Sequence, residues 1–474
     1  MCDRDRNGEG RAAEVRRATD DGRIPIGIIR EPGIAPATPR KREVCKQFGI
    51  PVREPPFHIA EDCGISIEPG GILLLVGPSG SGKSSILSVL DGRLERPIRV
   101  GRSRFPADRP IVDAVAPGRP LSTALESLTA CGLGEPRLWI RRFHDLSDGE
   151  RLRAELARAV GQAIRSRRPR VILCDEFTAG LHRRLAKAVA YNLRKLITRH
   201  RLSLVVATSH DDIAADLQPD QSVRLGGSEP VITHHVVHDR DMSLRRRVSI
   251  VPGSLRDYAR FSSMHYRQRD RAGFVDQVFL LRETATGEAL GILVFTYASP
   301  ELALRNRSTG GRFIRDIRRL NRELRILRRL IIHPDIRGCG LGHYFVRQAL
   351  PRVGVRFVEC LAAMGAINPV FERAGMRRVG RCALPKGRRR LLMRMLELDV
   401  DPLSPYFSSK IVRCPRVRRL VEETIRGWVE TTQGGSQYRV AGRSAVELSR
   451  VFRQLHGSPP VYYLWDREGE FPGP

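Results

Sequence analysis

A long apolar run is the first thing missing from this 474-residue chain. The longest, ILLLV around Ile72 to Val76, is far short of the roughly 20 residues a helix needs to cross a bilayer and reads as a buried strand. The first residues, MCDRDRNGEG, are charged from the start and hold no apolar core, which excludes a secretory signal. Paired cysteines are missing too. Nine are scattered without a CxxC or a Cys/His ligand spacing, which excludes a disulfide frame and a zinc site and fits reduced thiols in the cytoplasm. Acidic residues fall short as well, at 52 against 82 Lys and Arg, for a formal charge of +30. Only seven of those cations are lysine. An excess of this size points to a polyanionic partner, RNA or DNA.

What is present divides the chain. Residues 1–57 mix charge with Pro and Gly (REPGIAPATPRKRE) and are expected to be mostly disordered. Over 58–237, the apolar runs GILLLV, RVILCD and LSLVVATS alternate with helical stretches, the pattern of an α/β domain with a largely parallel sheet. A linker and a second α/β domain follow over 238–400, and 401–474 is a C-terminal extension of unassigned role.

After the strand ILLLV come Gly77, Pro78, Ser79, Gly80, Ser81, Gly82, Lys83, Ser84 and Ser85. Glycines let this loop wrap phosphates and aim its N–H groups at them, Lys83 reaches the β and γ phosphates, and the Ser84 hydroxyl ligates Mg2+. The run VILCDE ends a second buried strand with Asp175, a Mg2+ partner, and Glu176, which would polarise the attacking water. LSLVVATSH ends a third at His210, within reach of a γ phosphate. Between these lies LSDGE, residues 146–150, which on its own is a helix-capping box.

The ordered set GPSGSGKSS, LSDGE, VILCDEFTAGL and ATSH resembles the Walker A, signature, Walker B and H-loop series of the ABC ATPase family. That resemblance implies ATP and Mg2+ as cofactors and an ATP-dependent homodimer in which Ser147 and Gly149 of one subunit complete the site of the other. The chain departs from the family pattern in three places. Asp148 stands at the first signature glycine, His182 at the D-loop aspartate, and no glutamine occurs between Ser84 and the signature.

In the second domain the strand RILRRLIIHP leads into Arg337, Gly338, Cys339, Gly340, Leu341 and Gly342 and a helix. R-x-x-G-x-G at a helix start turns backbone N–H groups toward an anion such as a pyrophosphate. A further strand leads to NPVFERAGM, which begins at Asn368. The pair resembles motifs A and B of the GNAT acyltransferases and implies acetyl-CoA bound at the 337–342 loop. Phe371 stands where many members carry a tyrosine acid. Glu323 and Glu359 are candidate bases, and ten arginines between Arg305 and Arg329 suggest a nucleic-acid acceptor.

The expected molecule is therefore a P-loop ABC ATPase domain followed by a GNAT-like α/β acyl-CoA domain. It would couple ATP hydrolysis to N-acetyl transfer on or near nucleic acid. The alternatives are a nucleic-acid-associated ATPase with a non-catalytic GNAT-like binding domain, and the ATP-binding subunit of a transporter.

Overall fold

The computed structural model describes residues 24–30, 36–53, 57–166, 168–227, 229–235, 242–265, 273–382, 386–431, 440–455 and 459–469. Its contacts separate two units, Met1–Val248 with His333–Leu341, and Ser249–Ile332 with Gly342–Pro474. Among the described residues no helix is long and apolar enough to cross a membrane.

The first unit begins where disorder was expected. Ile24–Arg30 (β1) pairs antiparallel with Phe57–Ile65 (β2), and Pro39–Phe48 is helical, with the Thr38 hydroxyl accepting from Lys41 N–H at its start. The reason is local alternation: Ile24, Ile26 and Ile28 lie two apart, and fully buried Ile26 joins the core with Ile65 and Leu75. Four more strands, Ile72–Val76 (β3), Ile98–Arg99 (β4), Val171–Cys174 (β5) and Ser203–Thr208 (β6), form a sheet with Gln221–Arg224 (β7) and Val231–His234 (β8). The order is β4-β5-β6-β3-β7-β8, parallel except for the β7–β8 edge pair. Every residue of β3 and β6 is buried, as in a sheet covered on both faces, so both read as unbroken apolar runs and not as alternation.

The second unit holds a seven-stranded sheet. Its strands are Val248–Pro252 (β9), Val275–Glu283 (β10), Ala289–Thr296 (β11), Leu324–Ile332 (β12), Phe357–Ala362 (β13), Arg377–Arg381 (β14) and Val461–Asp466 (β15), in the order β14-β15-β13-β12-β11-β10-β9. Within it β12 and β13 are parallel neighbours, paired only from Leu324↔Phe357 to Ile326↔Glu359. Beyond Ile326, β12 runs on to Ile332 without that partner, so the two strands splay. The boundary expected at residue 400 does not hold for the sheet, because β15 inserts between β13 and β14. Between β14 and β15 the chain builds a helical module whose core includes Phe407, Ile411, Val421, Leu448 and Phe452.

Candidate nucleotide site

The loop at 77–82 leaves the carboxyl end of β3, and the helix Lys83–Arg93 follows it. Gly80 and Gly82 have φ of 82° and 94°, a region that side-chain-bearing residues avoid. At Gly77 there is no room for a side chain, since a Cβ would come within 2.5 Å of Leu225 O. Lys83 Nζ donates to Gly77 O and Pro78 O at 2.7 and 2.6 Å, folding over the loop it would leave to meet a phosphate. Burial lowers its pKa, and the charge of Asp175 works the other way. The Ser81 hydroxyl is buried in the loop without a partner, a donor and acceptor left over for a ligand. Pro78, Ser79, Gly80 and Ser84 are exposed.

Asp175 and Glu176 follow β5, and His210 follows β6. Since β5, β6 and β3 are adjacent, all three functional segments leave the carboxyl ends of neighbouring parallel strands, where open α/β sheets bind ligands. Glu176 is exposed with φ of 48°, and its N–H donates to Asp175 Oδ1 at 3.0 Å. A glutamate in the left-handed region is strained, and such strain gathers at functional sites. His210 is exposed, its N–H held by Thr208 Oγ1 at 3.1 Å.

Ser147 caps the helix Asp148–Arg165, and the Glu150 carboxylate accepts the Ser147 N–H at 2.9 Å. The capping box is thus formed. Ser147 remains exposed, and nothing lies within 4 Å of a Cβ built on Gly149.

The segment expected to cradle a pyrophosphate groups with the first unit. Arg337 Nη1 donates to Gly134 O at 3.0 Å, Asn192 Nδ2 donates to Arg337 O at 3.1 Å, and Lys195 Nζ donates to Gly338 O at 2.9 Å. His182, at the D-loop position, lies 3.0 Å from Asp335, which is also 3.1 Å from His333. Cys339 is buried, and burial pushes its thiol up to about 12. No local pattern marks Asn192 or Lys195 as partners; only Gly134 is explicable afterwards, since a Cβ there would meet Arg337 at 3.0 Å. Asn368 is exposed, ahead of the short helix Val370–Arg373.

In the second domain the two candidate bases are engaged, and Phe371 serves in packing. Phe371 is a core residue, tilted against Tyr463 with ring centroids 5.4 Å apart. Glu359 is not a free base: it is fully buried and holds Arg305, with Nη2–Oε1 at 2.6 Å, while Tyr462 donates to it at 3.0 Å. Glu323 is held by Arg312 and Arg319. The arginine tract is consequently split, with Arg305 on Glu359, Arg325 on Asp276 and Arg329 all buried. Arg307, Arg315, Arg318, Arg322 and Arg328 remain exposed.

No protein-family model matches the chain. Among curated proteins it is 30% identical over 206 residues to an Fe(3+) ions import ATP-binding protein of Rhizobium meliloti, covering 38% of this chain and 56% of the relative. It is 35% identical over 153 residues to a tylosin resistance ATP-binding protein of Streptomyces fradiae, 29% of this chain and 26% of the relative. Against a hemin import ATP-binding protein of Gloeobacter violaceus it is 31% identical over 207 residues, 35% of this chain and 72% of the relative. The chain thus spans about half of the first relative's length and a quarter of the second's. These matches lie in the N-terminal 38% or so of the chain.

Proposed function

The chain belongs to the ATP-binding-cassette (ABC) ATPases through its first unit, and from that premise we propose that it binds MgATP at the 77–84 loop and hydrolyses it between two copies of itself. The observation that carries this is the convergence of the loop, Asp175, Glu176 and His210 at the ends of β3, β5 and β6. The unpartnered Ser81 hydroxyl and the glycine-shaped loop fit a phosphate chain. Ser84 and Asp175 suit Mg2+, which takes few protein oxygens and keeps waters. A Mg2+ ion held by Ser84 and Asp175 would supply positive charge to the phosphates. Lys83 leaves the Gly77 and Pro78 carbonyls for the phosphates, Glu176 accepts the proton of the attacking water, and His210 contacts the γ phosphate. Ser147 and Gly149 of the second copy close the site. Sizing chromatography tests this: Glu176→Gln with saturating MgATP elutes as a dimer and without nucleotide as a monomer. A monomer in both conditions contradicts the sandwich.

Two of the relatives named above are import proteins, which gives weight to a transport role alongside separate membrane subunits. A second reading is favoured by the other unit, whose parallel pair β12–β13 parts after Ile326 and Glu359. Such a notch suits the acyl-pantetheine arm of acetyl-CoA, as the resemblance to the GNAT acyltransferases implies. The Arg337 guanidinium is engaged by Gly134 O, so backbone N–H groups at 338–342 would carry the pyrophosphate. Any acid for the leaving thiolate lies elsewhere than Phe371. Calorimetry with acetyl-CoA decides: the wild type binds and Gly340→Asp does not, and equal affinity removes the loop from the site.

A further inference from the structure

Among the described residues the buried cation Arg329 has no acid to balance it, and the way the fold brings it inside points to a ligand. Strand β12 carries a bulge: Leu327 pairs with Phe295 and Arg329 with Val294, leaving Arg328 unmatched. Side chains alternate across a strand, so an unbulged β12 would turn Arg329 to the face of Leu327. The extra residue instead turns it to the face of Val294 and Ile331, against the helix Leu255–Ser262. Bulges recur next to functional sites because they re-aim one side chain in this manner.

On that face Arg329 Nε donates to the Tyr258 hydroxyl at 3.2 Å and Nη1 donates to Arg328 O at 3.0 Å. Nη2 is buried and has no partner. The Tyr258 oxygen accepts from Arg329, and its own proton meets no acceptor among the described residues. Asp276 is committed to Arg325, and Glu359 to Arg305 and Tyr462. A buried charge without a counterion destabilises the fold, unlike a balanced pair. Neither group is sealed: Arg329 keeps 8% and Tyr258 7% of its surface exposed, whereas structural Arg305 keeps none.

We propose that Arg329 and Tyr258 form an anion subsite that takes the carboxylate of a small molecule. Two donors, one N–H and one O–H, stand side by side, matching the two oxygens of a carboxylate. Arg329 supplies the positive charge that meets the carboxylate, and the charge of Arg328 also acts on both Arg329 and Tyr258.

The test is thermal unfolding of the full chain in sodium acetate against sodium chloride at equal ionic strength, with sodium phosphate as the competing anion. Acetate should raise the wild-type midpoint saturably, by about 2–4 °C. Arg329→Met should unfold at a higher temperature than wild type in chloride, because it removes an unbalanced charge, and should not respond to acetate. Tyr258→Phe keeps the packing and should need about tenfold more acetate, the loss of one hydrogen bond to a charged group. It carries the test should Arg329→Met not fold. No saturable rise in wild type, or an unchanged rise in either variant, overturns the subsite. A larger rise with phosphate than with acetate overturns the assignment to a carboxylate.

Discussion

Arg305 and Arg315 are the same residue type ten positions apart in one basic tract, yet one is fully buried on Glu359 and the other exposed. Nothing in the local pattern separates them, because Glu359 is brought to Arg305 by the sheet and not by spacing. Removing one partner of a buried pair leaves the other unbalanced, so Arg305→Ala should cost about 3–5 kcal/mol in chemical denaturation. Arg305→Met combined with Glu359→Leu should recover most of that loss, as both charges then disappear. If the double variant is no more stable than the single, the pair is not what holds β13 in place. The nucleotide loop is the opposite case. Its chemistry is local, so Gly77 to Ser84 could be read from the sequence directly, and the strain at Glu176 adds what the letters do not carry.

Elements were legible where their periodicity was long and their partners near. The strands β3, β5 and β6 follow from unbroken apolar runs, and the helix Asp148–Arg165 from its capping box. Two strands were hidden for different reasons. The alternation in Ile24–Arg30 is short and sits amid charge and Pro, and VYYLWD lies a whole helical module away from the strands it joins. Since β15 separates β13 from β14, its packing is central to the second unit. Tyr462 and Leu464 are both fully buried. Leu464→Ala should therefore cost about 2–5 kcal/mol, read as an earlier unfolding transition while MgATP affinity stays unchanged. A loss below about 0.5 kcal/mol, the scale of surface substitutions, would show that β15 is peripheral.

At the scale of the whole molecule, charge decides two expectations. Hydrogen bonding and charge from Arg183 hold the Asp212 carboxyl below its ordinary range. For Glu323 and Asp335 burial works upward, but Arg312 and Arg319 at the first, and His333, His182 and Arg184 at the second, outweigh it. A depressed carboxylate stabilises the fold above its unfolded pKa of about 4, and that contribution is lost as pH falls through the lower folded value. The urea midpoint should thus hold from pH 6 to about 4 and fall below it; a flat midpoint down to pH 2 contradicts these pairings. The second expectation concerns the remaining excess of cations. With Arg305, Arg325 and Arg329 of the 305–329 tract buried, replacing the exposed Arg315, Arg318 and Arg322 by glutamine should lower any salt slope of RNA or DNA binding by up to about three phosphate contacts, and an unchanged slope takes these three out of the interface.

The account rests most on the cassette being a working ATPase, and steady-state phosphate release from MgATP tests that directly. Wild type should turn over. Lys83→Ala should abolish turnover together with nucleotide affinity, because the phosphates lose their cation. Glu176→Gln should keep the affinity and lose at least about tenfold in rate, since general-base catalysis commonly contributes 100-fold or more. Equal turnover in wild type and Glu176→Gln, or no release from wild type at saturating MgATP, would contradict it.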